Sequence, residues 1–298
     1  MLRSLAVVAA SLAMAGCATA DRTSVPTAAP QGGPITVLAS TTVLADLVRR
    51  VGGNRVDVVT LIPAGTDTHT FGGTVDIESE LDLVVWNGLG LDDETAVYAP
   101  DPAHGLAIAE SLDEVEMISD EQGNSNPHVW VDPANASVYL DRIRLTLIGI
   151  DPAGQATYDA NTDSYLEQLE RLEVDIRAQL DALPDENRSI YVTHDGLDYL
   201  AEFYGLEVLG TIYTGDDREL TADEQETLVA EIGSSGAQAV IGESHLPVEP
   251  AQSIATQAGV PWVQFVFTDS LGADPEPDTY EEATRHNVDL IVAALTLP

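Results

Sequence analysis

Short apolar runs rich in β-branched residues alternate with segments of helical periodicity in the first third of this chain. Residues 35–39 form such a run, a helical pattern over residues 42–51 ends at Gly52 and Gly53, and residues 56–62 form a second run. Residues 81–86 form a third. Strands separated by helical segments pair in parallel, because each helix carries the chain back across the sheet. The pattern therefore predicts an α/β lobe.

The second half of the chain repeats this order. Strands are predicted over residues 189–193, 207–212, 239–241 and 262–267, and helices over residues 197–204, 224–232 and 252–258. A second α/β lobe with a mainly parallel sheet is therefore expected.

One long amphipathic segment separates the two halves. Its apolar residues recur at positions 158, 165, 169, 172, 176, 180 and 183. Gaps of three, four and seven residues place them in one stripe on a helix of about seven turns. A flexible linker would be rich in glycine or proline instead. We therefore predict an N-terminal lobe over residues 34–156, a rigid connecting helix over residues 157–184 and a C-terminal lobe over residues 185–298.

The first 33 residues are expected to lie outside both lobes. Arg3 and the apolar run at residues 5–14 are typical of a secretory signal. The sequence Met14-Ala15-Gly16-Cys17 resembles a bacterial lipobox, so residues 1–17 are interpreted as a signal peptide that ends at a lipidated Cys17. The alternative is cleavage elsewhere, which would leave a free soluble protein. Residues 18–33, rich in Ala, Thr, Pro and Gly, are typical of a flexible tether.

The charge balance excludes some partners. The chain has 50 acidic residues against 12 basic ones, all of them Arg, and a formal net charge of −38. Such a charge argues against nucleic acid and anionic lipid surfaces as partners. High salt screens the self-repulsion of an acidic protein, so a saline habitat is the simplest explanation of this composition. The charge does not identify a ligand.

Four potential metal ligands lie beside predicted strand or helix ends. His69 follows the run at residues 56–62, His128 precedes a helix that begins at Asp132 and Pro133, His194 follows the strand at 189–193, and Asp269 follows the strand at 262–267. Ligands of parallel α/β sheets bind beyond the carboxyl ends of the strands. Three imidazoles with one carboxylate suit Zn²⁺ and tolerate Mn²⁺ or Fe²⁺. On spacing alone, surface or capping roles for these residues stay open.

Glu243 and His245 follow the strand predicted at residues 239–241. Either residue could line the same cleft. We interpret them as groups that orient the ligands or, for His245, as an alternative ligand.

A series of short motifs then points to a family. In chain order they are TTVLADL at 41–47, DTHTF at 67–71, NGLGL at 87–91, PHVWVDP at 127–133, THDGL at 193–197, YGL at 204–206, FTDS at 267–270 and HNV at 286–288. The chain resembles, from about residue 35 to residue 297, the zinc- and manganese-binding class of ABC-transporter substrate-binding lipoproteins. That resemblance implies two α/β lobes bridged by a rigid helix, with His69, His128, His194 and Asp269 as the metal ligands.

The resemblance also implies a function without catalysis. The protein would be exported and lipid-anchored on the outer face of the cytoplasmic membrane, where it would act as a monomer. It would capture Zn²⁺ or Mn²⁺, with Fe²⁺ not excluded, and deliver the ion to a membrane permease.

Several departures from the family pattern bear on the metal. Thr68 stands where the family usually has Pro, and Gly72 and Gly73 stand where it has Glu-Pro. Manganese-type members commonly carry Glu at the position of His194, whereas the FTDS motif resembles the manganese-type ending. The segment 92–126 holds only His104, although many zinc-type members have a His-rich loop there. The pattern therefore leaves the choice between Zn²⁺ and Mn²⁺ open.

Two other functions fit some of the same residues. A cell-surface metallohydrolase would use three histidines, with Asp269 or Glu243 as general base and water in the fourth metal position. A metal-stabilised adhesin-like lipoprotein would bind the ion for structural reasons only. Four protein ligands close a tetrahedral site and leave no position for an activated water, which favours the carrier.

Overall fold

The computed structural model describes residues 33–75, 77, 80–120, 122–213, 220–246, 248–273 and 276–296. The predicted signal peptide, the lipidation site Cys17 and all but the last residue of the predicted tether lie outside these residues. Among the described residues, no helix combines the length and the apolar character that crossing a membrane requires.

The first lobe contains a four-stranded parallel sheet. Its elements are β1 (Ile35–Ala39), α1 (Thr42–Gly52), β2 (Val56–Thr60), β3 (Leu83–Trp86), β4 (Gly105–Ala107) and α2 (Pro133–Ile150). The strands lie in the order β2-β1-β3-β4. Helix α1 begins where the Thr41 side chain accepts a hydrogen bond from the Leu44 amide, and it ends before Gly53, which has a φ of 55°. Both caps agree with the preferred chemistry of helix termini.

A long helix, α3 (Gln155–Asp181), follows α2 and spans 27 residues. At 1.5 Å per residue its length is about 40 Å. The predicted apolar stripe is its buried face, which includes Tyr158, Leu169 and Ile176. The helix ends before residue 184, the predicted limit, because the residue that precedes Pro184 disfavours helical backbone. Helix α3 contacts helices of both halves of the chain.

The second lobe contains another four-stranded parallel sheet. Its elements are β5 (Ser189–Val192), α4 (Asp198–Tyr204), β6 (Glu207–Thr211), α5 (Ala222–Ser235), β7 (Ala239–Glu243), α6 (Ala251–Ala258), β8 (Trp262–Val266) and α7 (Tyr280–Leu295). The strands lie in the order β6-β5-β7-β8. The predicted fold class, two α/β lobes with parallel sheets and a long connecting helix, is confirmed.

The two lobes share one apolar core. Helix α3 packs against α1 and α2 of the first lobe and against α4 and α7 of the second. A single cluster of buried side chains extends from Val37 on β1 to Val192 on β5 and Val266 on β8. Separating the lobes widely would expose this apolar surface, which costs about 25 cal/mol per Å². The shared core therefore opposes a wide hinge motion.

Hydrogen bonds also join the lobes. The Trp130 indole donates to the Thr268 carbonyl at 3.0 Å, and the Tyr280 hydroxyl donates to the Trp130 carbonyl at 2.7 Å. The Leu271 amide donates to Thr42 Oγ1 at 2.7 Å, and the Tyr280 amide donates to Asp46 Oδ2 at 3.0 Å. All four bonds involve Thr268, Leu271 or Tyr280, which follow β8 in the stretch of chain that carries Asp269.

Candidate metal centre

The predicted ligands His69, His128, His194 and Asp269 converge between the lobes. His69 lies in the segment between β2 and β3, and His128 precedes α2. His194 and Asp269 follow β5 and β8 at the carboxyl ends of those strands. One ligand atom from each of the four residues lies within 4.8 Å of the others. Two loops from each lobe therefore bring their side chains to one point.

The distances between these atoms fit a tetrahedral ion. His128 Nε2 lies 3.2 Å from His69 Nε2 and 3.3 Å from His194 Nε2. Asp269 Oδ1 lies 3.3 Å from His128 Nε2 and 3.5 Å from His194 Nε2, and Asp269 Oδ2 lies 3.4 Å from His69 Nε2. Atoms bound tetrahedrally at zinc distances of about 2.0–2.1 Å are separated by about 3.3–3.4 Å. The four side chains thus have the spacing that one such ion requires.

The site is buried on three sides and open on one. The side chains of His128 and Asp269 are fully buried, and that of His194 is 11% exposed. The side chain of His69 is 35% exposed. His69 is therefore the most exposed of the four candidate ligands, and solvent reaches the site chiefly beside it.

Asn126 fixes the orientation of His128. Asn126 Nδ2 donates to the Asp195 carbonyl at 2.9 Å, which identifies the other amide atom, Oδ1, as the acceptor. That oxygen accepts the His128 amide at 2.9 Å and lies 2.8 Å from His128 Nδ1. The proton of the imidazole is therefore placed on Nδ1, and the lone pair of Nε2 faces the cleft. Partners of this kind hold metal-binding histidines in one tautomer.

Glu243 has the corresponding role for His194. Glu243 Oε2 lies 2.5 Å from His194 Nδ1, which leaves His194 Nε2 free to bind. The carboxylate also accepts hydrogen bonds from Thr268 Oγ1 at 2.6 Å and from Thr193 Oγ1 at 3.2 Å. Glu243 is fully buried. Burial would raise the pKa of Glu243, but the neighbouring His194 holds it below its ordinary value.

The electrostatics of the site favour a cation. Burial would raise the pKa of Asp269, but the imidazoles of His245, His128 and His194 hold it well below its ordinary value. Burial would lower the pKa of His194, whereas the carboxylates of Glu243 and Asp269 raise it well above its ordinary value. Among the described residues, neither oxygen of Asp269 has a well-aligned hydrogen-bond donor. A bound cation would satisfy both oxygens, which is what a buried carboxylate requires.

The other predicted site residues lie beside this group. Glu243 and His245 follow β7 and belong to a second cluster with His194 and Asp269. Cys17 lies outside the described residues. Sequence reasoning missed Asn126, which contacts His128 directly, and Thr193 and Thr268, which donate to the Glu243 carboxylate beside His194. The signal for Asn126 was its position two residues before His128, where an Asn side chain can bond to nearby backbone.

Comparison with known proteins places this geometry in context. The family model described as zinc-uptake complex component A, periplasmic, matches residues 37–294 of the chain. The chain is 26% identical over 299 residues to the manganese-binding lipoprotein MntA of Halalkalibacterium halodurans, with 98% of each chain covered. It is 25% identical over 274 residues to the iron ABC transporter substrate-binding lipoprotein MtsA of Streptococcus pyogenes, with 87% of this chain and 88% of the relative covered.

Solved structures agree with the fold. The periplasmic zinc-binding protein TroA of Treponema pallidum superimposes with a TM-score of 0.81 at 26% sequence identity. The match covers 89% of this chain and 100% of TroA. Zinc, manganese and iron thus all appear in the names of proteins similar to this one.

Proposed function

This chain belongs to the family of the periplasmic zinc-uptake complex component A, and we propose that it captures a divalent transition metal for an ABC importer. The ion, Zn²⁺ or Mn²⁺, is held by His69, His128, His194 and Asp269 and delivered to a membrane permease. Relatives named for manganese and iron import support a metal cargo. The single observation that carries the proposal is the convergence of these four side chains, in which five of the six residue pairs have ligand atoms 3.2–3.5 Å apart.

The same geometry favours a carrier over a hydrolase. A hydrolase of this kind would hold its metal with three histidines and keep the fourth position for water. Here Asp269 lies as close to the histidine nitrogens as these lie to one another. With Asp269 in the fourth position, the ion has no open site for an activated water. The protein therefore acts as a binding protein, as its family does, and not as an enzyme.

An Asp269→Asn variant tests this assignment. The amide keeps the shape of the side chain but removes the negative charge. We expect the variant to lose more than about 100-fold in affinity for Zn²⁺ or Mn²⁺, beyond the 10–100-fold typical when a group that only orients a ligand is lost. Competitive titration of the metal-free protein gives the affinities, and His104→Gln, an exposed histidine, is the control. A hydrolase in which Asp269 is the general base would keep its metal.

The names of similar proteins support a location outside the cytoplasmic membrane. The relatives MtsA and MntA are named lipoproteins, and TroA is named periplasmic. We infer that this protein works outside the cytoplasmic membrane as a monomer, anchored through lipid on Cys17. A Cys17→Ser variant should leave the membrane fraction for the soluble one when cells are fractionated. Retention of that variant in the membrane fraction would contradict lipidation at Cys17.

A further inference from the structure

His245 is a buried side chain with unsatisfied polar atoms. Its side chain is fully buried, and neither Nδ1 nor Nε2 has a hydrogen-bond partner among the described residues. A polar group buried without a partner destabilises the folded state. Such a group in a native structure requires an explanation, and an ion at the site is one of the standard ones.

The surroundings of His245 indicate which ligand is missing. His245 Nε2 lies 3.6 Å from Asp269 Oδ2 and 4.0 Å from Glu243 Oε2. The ring packs edge-on against His194, with centroids 5.2 Å apart. Ligand atoms of His194, Glu243, His245 and Asp269 all lie within 4.8 Å of one another. The unpartnered nitrogen thus faces two carboxylates, which is an environment for a cation.

We propose that His194, Glu243, His245 and Asp269 form an inner metal position, which a single ion occupies in alternation with the outer position at His69, His128, His194 and Asp269. This inference rests on the proposed function and specifies its cargo. The two positions share His194 and Asp269, so only one is filled at a time. The outer position adds His69 and His128 to this shared pair, and the inner position adds His245 and Glu243.

The two positions differ in donor chemistry. The outer position offers three imidazoles and one carboxylate, a set that suits tetrahedral Zn²⁺. The inner position offers two imidazoles and two carboxylates, whose four oxygens allow a coordination number above four. Oxygen-rich sites of higher coordination number suit Mn²⁺. The chain therefore accepts Zn²⁺ at the outer position and Mn²⁺ at the inner one.

The balance of charges supports the inner position as a site for a buried divalent ion. Two carboxylates neutralise a divalent ion, whereas the single carboxylate of the outer position leaves one positive charge. An uncompensated charge away from solvent is costly. The outer position has the partly exposed His69 beside it, and the inner position is formed by side chains that are buried or nearly so. The neutral ion site of the inner position thus suits burial, and the net positive ion site of the outer position suits contact with solvent.

Paired variants test the proposal. His245→Gln removes a ligand that only the inner position uses, and His69→Gln removes one that only the outer position uses. We expect His245→Gln to lower the affinity for Mn²⁺ by about 100-fold or more, above the range for an orienting group, without a measurable change for Zn²⁺. His69→Gln should do the reverse. Both ions are titrated separately into the metal-free full chain, and His104→Gln is again the control.

Other results would overturn either the inner position alone or the proposed function as well. Equal losses for both ions in His245→Gln would make His245 a group that orients Asp269, and no loss for either ion would make it a buried histidine without a metal role. Both results would overturn the inner position and leave the proposed function intact. A wild-type chain that binds neither ion would overturn the proposed function as well.

X-ray absorption on the wild-type chain tests the proposal without any variant. The zinc-loaded protein should show three imidazoles and a coordination number of four. The manganese-loaded protein should show two imidazoles with additional oxygen ligands. The same set of ligands around both ions would overturn the proposal, even if His245→Gln failed to fold.

Discussion

At the scale of single residues, the candidate centre depends on side chains that orient the ligands without being ligands themselves. Asn126 connects the two lobes at the site, because its amide nitrogen bonds to the Asp195 carbonyl while its oxygen faces His128 Nδ1. The loop that carries His128 is thereby tied to the loop that begins at His194. Without Asn126, His128 would lose its fixed orientation, and the spacing between His128 and His194 would no longer be held.

Replacing Asn126 tests this role directly. We expect Asn126→Ala to bind Zn²⁺ about 10–100-fold more weakly, the range found when a group that orients a ligand is lost. Asn124→Ala is the matched control, since Asn124 lies in the same loop and bonds to Asp120 rather than to a candidate ligand among the described residues. Calorimetric titration of both variants measures the difference. Equal affinities in the two variants would show that His128 holds its orientation without Asn126.

Each of the four candidate ligands lies beside a strand or helix end, a local pattern that left surface and capping roles open. The resemblance to the family singled these four residues out as ligands. Asn126 could not be assigned a role in this way, because its partner Asp195 is 69 residues away. The burial of His245 also depends on tertiary packing, so the sequence left it between two roles.

At the scale of elements, two Asp-Pro sequences begin helical segments in different surroundings. Asp132 accepts the Ala134 amide at the start of α2, and Asp101 accepts the Ala103 amide at the start of a short helical turn. Asp132 is 4% exposed. Burial, with a smaller contribution from Glu173, raises the pKa of Asp132 to about 6 from its ordinary 3.8. The pKa of Asp101 is instead lowered, mainly by its hydrogen bond with His104.

These shifts predict opposite effects of removing the charge. Asp132 binds its proton more tightly in the folded state, so its ionisation costs stability that is regained as pH falls from about 6 to about 4. Asn also caps helices well, so Asp132→Asn should raise the free energy of unfolding at pH 7 by up to about 2–3 kcal/mol. Near pH 4 the gain should vanish. Urea unfolding at both pH values measures this, and Asp101→Asn should give no gain at pH 7.

The elements themselves were largely predictable, and their ends show the limits. The strand predicted over residues 56–62 ends at Thr60, and the one predicted from residue 81 begins at Leu83. Leu61, Ile62 and Leu81 lie in an apolar cluster with Leu38 and Val84 of the sheet. The amides of Leu61 and Ile62 still donate to the carbonyls of Ala39 and Ser40, so hydrogen bonding to the neighbouring chain continues past the end of β2. The pattern missed β4, because its three residues, Gly105–Ala107, carry no β-branched side chain.

At the scale of the whole molecule, the formal charge of −38 sets the conditions for stability. Like charges repel across a folded surface more strongly than in an extended chain, and salt screens this repulsion. The Debye length falls from about 10 Å at 0.1 M salt to about 3 Å at 1 M. The folded protein should therefore gain stability over this range.

Thermal unfolding in increasing NaCl measures that gain. We expect the midpoint to rise between about 0.1 M and 1 M salt, as the Debye length shortens. A double variant of exposed acids on α3, Asp163→Asn with Glu170→Gln, should unfold at a higher temperature than the wild type at low salt. The two curves should meet at high salt. A midpoint that does not depend on salt would contradict a role for self-repulsion.

The hydrogen bonds between Trp130, Thr268 and Tyr280 have a consequence for competition among ions. They hold the lobes at a fixed separation, so the metal site does not widen to fit an ion as large as Ca²⁺. Ca²⁺ requires six to eight oxygen atoms at about 2.3–2.6 Å, and Mg²⁺ releases its water reluctantly. A site of fixed size with two or more imidazole ligands satisfies neither ion. The protein should therefore bind a transition metal in preference to Ca²⁺ and Mg²⁺.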